Sequence, residues 1–185
     1  VIAFVLSITI SFVIALILYE LPILYKILEP YLTVINSMPR VAIGTIIVML
    51  FGAGESSIII MALSITLILN ILNIYNGFIN VDKYKLKMFK SFNASKYKTI
   101  RYLVIPSALS VIVNNLKINI SMTLIGVIMG EFLVSKEGIG YLIMYGSQVF
   151  NLDLVISSIF ILGIISYLMY FIIEKFEKII YIKRN

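Results

Sequence analysis

Residues 82–106 read DKYKLKMFKSFNASKYKTIRYLVIP, and this stretch is the one long polar interruption in an otherwise apolar chain. It carries six Lys and one Arg, which are seven of the 15 basic residues in the sequence. Long apolar runs flank it on both sides. A short basic segment between membrane spans is expected on the cytoplasmic side, where Lys and Arg are retained. The stretch therefore predicts a cytoplasmic loop, residues 82–105, within an integral membrane protein.

The composition of the whole chain supports that prediction. Its 185 residues are 61% hydrophobic and 13% charged, with a mean hydropathy of +1.08, whereas soluble domains carry about 25% charged residues. We therefore expect an all-α fold, a polytopic membrane helix bundle forming a single domain over residues 1–185.

The sequence contains no His and no Cys. This excludes Ser-His-Asp and Cys-His catalysis, thiolate metal sites and disulfides, so no catalytic or metal site is predicted. The net charge of +6 comes from basic residues gathered in loops between apolar runs. Membrane topology explains that pattern, and no nucleic-acid partner is predicted.

Five apolar runs predict membrane spans at residues 1–20, 39–53, 56–81, 106–134 and 154–174. The second is short, because a span needs about 20 residues. Residues 20–40 have helical apolar spacing and predict a short interfacial helix, with Pro39 marking a new start. Ser56 or Ser57 is expected to cap the third span. Residues 141–150 predict a short amphipathic helix in an outer loop.

Charge counting predicts the orientation of these spans. With residues 82–105 inside, 13 Lys and Arg lie inside, including Arg40 and four in the C-terminal tail, and Lys136 alone lies outside. The C-terminus is then cytoplasmic and the first residue is outside. An odd number of spans with this orientation leads us to expect a further span upstream.

Two stripes of polar residues are spaced for one face of a helix. Asn70, Asn73, Gly77 and Asn80 are separated by 3, 4 and 3 residues in the third span. Such amides avoid lipid, so they either join helices or line a water-filled pathway.

The fourth span repeats the pattern with Asn114, Lys117 and Ser121. Lys117 either extends back to the cytoplasmic interface or places a charge beside the pathway, and Glu131 has the equivalent two interpretations near the outer interface. The candidate pathway residues are thus Asn70, Asn73, Asn80, Asn114, Lys117, Ser121 and Glu131.

The spacing inside the basic stretch resembles a known motif. Asn93 and Pro106 are 13 residues apart, and Leu103 and Ile105 precede the proline. Permease subunits of bacterial ATP-binding-cassette importers carry Glu-Ala-Ala, three residues, Gly, nine residues and Ile-x-Leu-Pro at this place. In this chain Lys87, Met88 and Phe89 replace Glu-Ala-Ala, and Asn93 replaces Gly. Asn is the residue other than Gly that best tolerates a left-handed turn.

The resemblance extends over nearly the whole chain. NSMPRVAIGTIIVMLFGAGESS and MGEFLVSKEGIGYLIMYGSQVFNLDLV are similar to the corresponding stretches of the nitrate/sulfonate/taurine group, which also includes importers of thiamine-precursor pyrimidines. This resemblance implies a type I importer permease architecture, usually with six spans, and a cytoplasmic coupling helix. The residues it places at the ATPase contact are Lys87, Met88, Phe89, Asn93, Ala94, Ser95 and Pro106, centred on Phe89.

The resemblance also implies partners and a location. The partners are a second copy or a related permease, two cytoplasmic ATPase subunits and an extracytoplasmic substrate-binding protein. The location is the bilayer of the bacterial cytoplasmic membrane. The chain lacks the Gly-x-x-x-x-Gly-Lys-Ser/Thr loop, so ATP is expected to be used by the partner, with no cofactor on this chain. The implied substrate is a small anion, such as a sulfonate or nitrate, or a pyrimidine.

Two other functions remain open from the residues alone. An ion-coupled secondary transporter would need an acid within the membrane, and Glu131 is the one candidate. A membrane scaffold is compatible with the composition but gives no reason for the spacing of Asn93 and Pro106. A membrane-embedded enzyme would need clustered Asp, His or Glu at an interface, and the sequence has no such cluster.

Overall fold

The computed structural model describes residues 1–182, leaving aside the side chains at 176, 177 and 179–182, and consists over that range of helices joined by short turns. The long helices are α1 (Ile2–Glu20), α4 (Glu55–Ile79), α7 (Ile105–Val134) and α9 (Leu152–Ile182). The shorter ones are α2 (Pro22–Ser37), α3 (Arg40–Phe51), α5 (Lys83–Ser91), α6 (Lys96–Thr99) and α8 (Ile139–Gln148). The predicted all-α fold is confirmed. The last basic residues of the tail and the predicted cytoplasmic C-terminus lie outside the described residues.

Long apolar helices account for most of the predicted spans. Among the described residues, four helices are long and apolar enough to cross a membrane: Ile2–Glu20, Glu55–Ile79, Lys96–Val134 and Leu152–Lys175. The predicted second span corresponds to α3, whose 12 residues rise only about 18 Å. Helices α2 and α3 qualify as a span only together, as a pair bent by 95° at residues 38 and 39. The predicted span over residues 39–53 therefore corresponds to the second helix of a bent pair.

Arg40, the first residue of α3, connects the break between α2 and α3 to α4 by hydrogen bonds. Its guanidinium donates to the Ser64 carbonyl at 2.9 Å and to the carbonyl and side-chain oxygens of Asn36 at 2.8 and 2.6 Å. The Asn36 carbonyl lies in the last turn of α2, where carbonyls lack helical partners. Ser64 lies about 14 Å along α4 from Glu55. Arg40 was expected in an inner loop, and the structure places it against the middle of the bundle instead.

Helices α4 and α7 form an antiparallel pair at the centre of the bundle. A Cβ built on Gly126 would lie 2.5 Å from the Cα of Ala62, so the two backbones touch where α7 has no side chain. Helix α1 packs along α4, and Phe78 of α4 is fully buried between the rings of Phe12 and Tyr19, with centroids at 5.9 Å from each. Close backbone approach through a small residue is the usual way for membrane helices to associate.

The start of α4 differs from the prediction. The helix begins at Glu55 with Gly54 at the N-cap position, and neither serine caps it. The Ser57 hydroxyl instead donates back to the Gly52 carbonyl. This bond holds the short α3–α4 turn closed, where Gly52 has a positive φ of 79°.

Candidate functional site

Helices α5 and α6 form a bent, basic projection, here called the basic corner (residues 82–99). The Asp82 carboxylate begins it by accepting a hydrogen bond from the Tyr84 backbone N–H at 2.8 Å, which caps α5. At its far end the Lys96 ammonium forms an ion pair with the Glu20 carboxylate and donates to the Glu20 carbonyl at 3.3 Å. The corner is thereby fixed to the end of α1.

Asn93 makes the bend between the two helices. Its φ is 52°, the left-handed conformation expected from the sequence. The Asn93 N–H donates to the Lys90 carbonyl at 3.0 Å and the Ala94 N–H to the Phe89 carbonyl at 3.1 Å. These two bonds constitute a Schellman motif that ends α5. The Ser95 hydroxyl then accepts from the Lys98 N–H at 3.3 Å, which starts α6.

The basic corner continues into α7 without a loop. Residues Ile100–Val104 form a π-helical turn between α6 and α7, and the Ile105 N–H donates to the Ile100 carbonyl, five residues back. Pro106 lacks an N–H, and its ring collides with the carbonyl four residues before it in a regular helix. The wide turn provides that space. Helical backbone therefore runs from Lys96 into α7, and Pro106 is the second residue of α7, in its first turn.

The two faces of α5 carry different apolar side chains. Phe89 is half-buried and packs with Leu86 against the core of the bundle. Tyr84, Met88 and Phe92, spaced four residues apart, are 82%, 50% and 77% exposed. The sequence placed Phe89 at the centre of the partner contact. The structure turns Phe89 inward and presents Tyr84 and Phe92 outward, two residues that the motif comparison did not select.

A buried polar layer joins α1, α4 and α7. The Asn70 amide donates to Asn119 Oδ1 at 2.9 Å, and the Asn115 amide donates to Asn70 Oδ1 at 3.0 Å. The Asn119 amide donates to the Ser7 hydroxyl at 2.8 Å, and the Asn73 amide donates to Asn115 Oδ1 at 2.9 Å. Among the described residues no buried side-chain nitrogen or oxygen lacks a partner. Asn70 and Asn73 therefore hold helices together, the first of their two interpretations.

The other predicted pathway residues lie in different environments in the structure. Asn114 and Ser121 are exposed on α7, on the side away from the polar layer, and Asn80 is exposed at the end of α4. Lys117 is half-buried, with its ammonium 5.6 Å from the centre of the Tyr170 ring of α9. Of the three residues predicted to share one face of α7, Asn114 and Ser121 are thus exposed, whereas Lys117 contacts α9.

Glu131 anchors the end of the bundle at which α7 meets α8. Its carboxylate accepts from the Gly140 N–H at 2.6 Å, in the first turn of α8. A carboxylate is stabilised there by the positive end of the helix dipole. A Cβ on Gly138 would lie 2.5 Å from the same carboxylate, so the loop closes tightly around it. This position makes Glu131 a structural anchor of the loop between α7 and α8.

The α7 half of the polar layer was not among the residues predicted from the sequence. Asn115, Asn119 and Thr123 are buried and repeat at four-residue intervals. That spacing was visible in the sequence, alongside the competing stripe at Asn114, Lys117 and Ser121. A helix with two polar stripes does not by itself reveal which one is buried.

Three comparisons relate the chain to known proteins. Residues 7–181 match the family described as "binding-protein-dependent transport system inner membrane component". A probable ABC transporter permease protein of Haemophilus influenzae is 32% identical over 148 residues, which cover 80% of this chain and 60% of that protein. The formylaminopyrimidine transport permease protein ThiX of Halalkalibacterium halodurans is 26% identical over 175 residues, covering 95% of this chain and 70% of that one.

A solved structure shares the fold. The inward-facing MetNI methionine ABC transporter superposes with a TM-score of 0.79 at 16% identity, covering 95% of this chain and 88% of the other. The likeness confirms the predicted type I permease architecture. The chain spans 60% of the length of the Haemophilus relative.

Proposed function

Because the chain belongs to the family of binding-protein-dependent transport system inner membrane components, we propose that it is the permease subunit of an ATP-driven importer. It forms part of the translocation pathway, binds no cofactor and catalyses no reaction, while ATP is used by two partner ATPase subunits. The observation that carries this proposal is the basic corner, an exposed projection whose backbone is continuous with the central helix of the bundle.

The ATPase docks on the exposed face of α5. Tyr84, Met88 and Phe92 form an apolar stripe there, and Lys87 lies exposed on the same short helix. Apolar side chains in a basic, water-exposed segment mark an interaction surface. Asn93 and Ser95 fix the shape of the projection, and Lys96 ties it to α1. Movement of the ATPase is therefore passed to α7 and α1 together.

A second permease covers the exposed face of α7. Asn114 and Ser121 lie in a stripe with the exposed side chains of Val111, Ile118 and Ile125. Amides facing lipid are costly, so this stripe faces the second permease and the water-filled pathway between the two. The partner is a second copy or a related permease. A substrate-binding protein delivers solute from outside the bacterial cytoplasmic membrane, and the C-terminus is cytoplasmic.

Of the two substrate classes that the sequence implies, a pyrimidine thiamine precursor fits better than a small anion. The exposed polar groups of the α7 stripe are neutral, and the Lys117 ammonium lies over the Tyr170 ring. The relative from Halalkalibacterium halodurans is named for formylaminopyrimidine. Neutral hydrogen-bonding groups suit a neutral heteroaromatic solute better than a sulfonate.

Uptake into proteoliposomes tests the proposal. The natural protein is reconstituted with its partner ATPase and binding protein, and solute uptake is followed with ATP enclosed and with a proton gradient alone. ATP-dependent uptake that persists with a protonophore is expected. Uptake driven by the gradient without ATP would refute the proposal and favour an ion-coupled transporter. The position of Glu131 at the start of α8 gives that alternative no support.

A further inference from the structure

A groove opens where the end of α1 meets the joint between the basic corner and α7. It has a volume of about 600 Å³. Its lining consists of five aliphatic side chains together with Glu20, Tyr97 and Arg101. The aliphatic residues are Leu16, Ile17, Leu21, Ile100 and Ile105.

The charge balance of this groove is positive. The Glu20 carboxylate is already paired with Lys96, so it is neutralised. Arg101 donates to the Tyr97 hydroxyl at 2.8 Å, and its guanidinium carbon lies 6.0 and 5.9 Å from the ring centres of Tyr97 and Tyr102. No carboxylate of the described residues forms an ion pair with Arg101. Its charge is oriented by two neutral rings and stays uncompensated.

The groove has the mixture of aliphatic, tyrosine and basic residues that is typical of the lipid headgroup region. Leu16 and Ile17 belong to α1 and Ile105 to α7, whereas Tyr97 lies in α6 of the basic corner and Arg101 in the π turn that follows it. Exposed tyrosines and basic residues are typical of the membrane interface. The positive-inside rule assigns this interface to the cytoplasmic leaflet, whose anionic lipids attract basic pockets between helices.

We propose that this groove binds one anionic phospholipid of the cytoplasmic leaflet. The lipid phosphate lies against Arg101, and an acyl chain lies along the five aliphatic side chains. Each alternative occupant leaves part of the site unused: a free phosphate ion does not contact the aliphatic walls, and a neutral lipid does not use the Arg101 charge. The bound lipid packs against Ile100 and Ile105, on either side of the π turn, and so stiffens the joint.

Native mass spectrometry of the full-length protein, extracted in mild detergent, tests this site. Retained phosphatidylglycerol is compared with phosphatidylcholine of the same acyl chains. One phosphatidylglycerol per chain is expected, with about a fivefold preference over phosphatidylcholine, the size expected for one basic residue at the surface. Arg101→Gln abolishes the preference. Ile17→Trp, which fills the groove from α1, lowers retention of both lipids.

A basic residue elsewhere in the chain serves as the matched control. Lys85→Gln removes a positive charge that does not line the groove and leaves lipid retention unchanged. Displacement of the lipid by glycerol phosphate at millimolar concentration would identify a phosphate site and overturn the proposal. Equal retention of the two lipids by the wild-type protein would also overturn it. So would an unchanged preference in Arg101→Gln, or no retained lipid because another segment of protein covers the groove.

Discussion

The Asn70 side-chain amide donates to Asn119 Oδ1 at 2.9 Å, and this bond joins the two central antiparallel helices at a point where both side chains are fully buried. Asn119 also binds Ser7 of α1, so one amide connects three helices. The bundle is therefore held at its centre by polar contacts. Its apolar surfaces gain little by meeting each other in a membrane, because lipid is as apolar as they are.

Removal of the Asn119 amide should destabilise the bundle. Asn119→Ala removes the acceptor of the Asn70 amide and the amide donor to the Ser7 hydroxyl, which keeps its bond to the Phe4 carbonyl, at a cost of about 1–3 kcal/mol. Thermal unfolding of the purified protein in detergent measures this loss. The matched control Asn114→Ala changes an exposed amide of the same helix and should shift stability by less than about 0.5 kcal/mol. Equal effects of the two substitutions would contradict the buried position of Asn119.

The contact at Gly126 should not tolerate even one methyl group. Gly126→Ala places a Cβ 2.5 Å from the Ala62 backbone and must push α4 and α7 apart, which costs about 1–3 kcal/mol. Gly163→Ala is the control, since a Cβ there meets no atom within 4 Å. That change should be neutral or stabilise α9 by up to about 1 kcal/mol, because alanine favours the helix. If both substitutions destabilised the protein, or both stabilised it, the close approach of the α4 and α7 backbones at Gly126 would be contradicted.

Cysteine labelling distinguishes the two polar stripes of α7. The chain has no native cysteine, so single substitutions give an unambiguous signal. Cysteines at Asn114 and Ser121 should react with a membrane-impermeant thiol reagent in the assembled transporter, and substrate should slow the reaction. Cysteine at Asn70 should be protected, because that side chain is 1% exposed. Protection at all three positions would remove Asn114 and Ser121 from the pathway.

The two faces of α5 should give separable phenotypes. Phe92→Ala removes an exposed ring and should weaken binding of the ATPase subunit about tenfold while thermal stability stays unchanged. Phe89→Ala removes a ring packed on the core and should instead lower stability, by about 2–3 kcal/mol. Co-purification of the ATPase and thermal unfolding are measured on both variants. The reverse pattern would restore Phe89 as the centre of the contact.

The left-handed turn at Asn93 sets the angle of the basic corner. Asn93→Gly should preserve ATP-driven uptake, because glycine adopts a φ of 52° without strain. Asn93→Val should cost about 1–2 kcal/mol or open the turn, and uptake should fall while the protein still reaches the membrane. Uptake assays with quantified membrane protein test this pair. Full uptake by Asn93→Val would mean that the angle of the corner has no role in transport.

The long helices were predictable because run length alone identifies them. An apolar run long enough to cross a bilayer has few alternatives to a helix in a chain this apolar, and the predicted span 56–81 coincides with the helix Glu55–Ile79. The shape of residues 20–53 was not predictable in the same way. Pro39 marked a break, but only the contact between Arg40 and Ser64 shows how deep in the bundle that break lies.

The bend within the basic corner could be predicted from its residue types, but the direction in which its side chains point could not. Asn93 was expected in a left-handed turn on the properties of its own side chain. The direction in which Phe89 points depends on a core built from α1, α4 and α7, distant in sequence. The same limit applies to α7, where Asn119 is buried only because Asn70 lies opposite it.

The π turn at Ile100–Val104 gives the joint a property that neither neighbouring helix has. A wide turn stores one residue more than a regular α-helix, and each residue of an α-helix corresponds to about 100° of rotation and 1.5 Å of rise. If this turn lost its extra residue and became a regular α-helical turn, the basic corner would rotate by about 100° about the axis of α7 and shift by only about 1.5 Å along that axis. Any rotation at this joint would therefore change the direction of the basic corner more than its height, and the ion pair of Lys96 with Glu20 restrains that rotation.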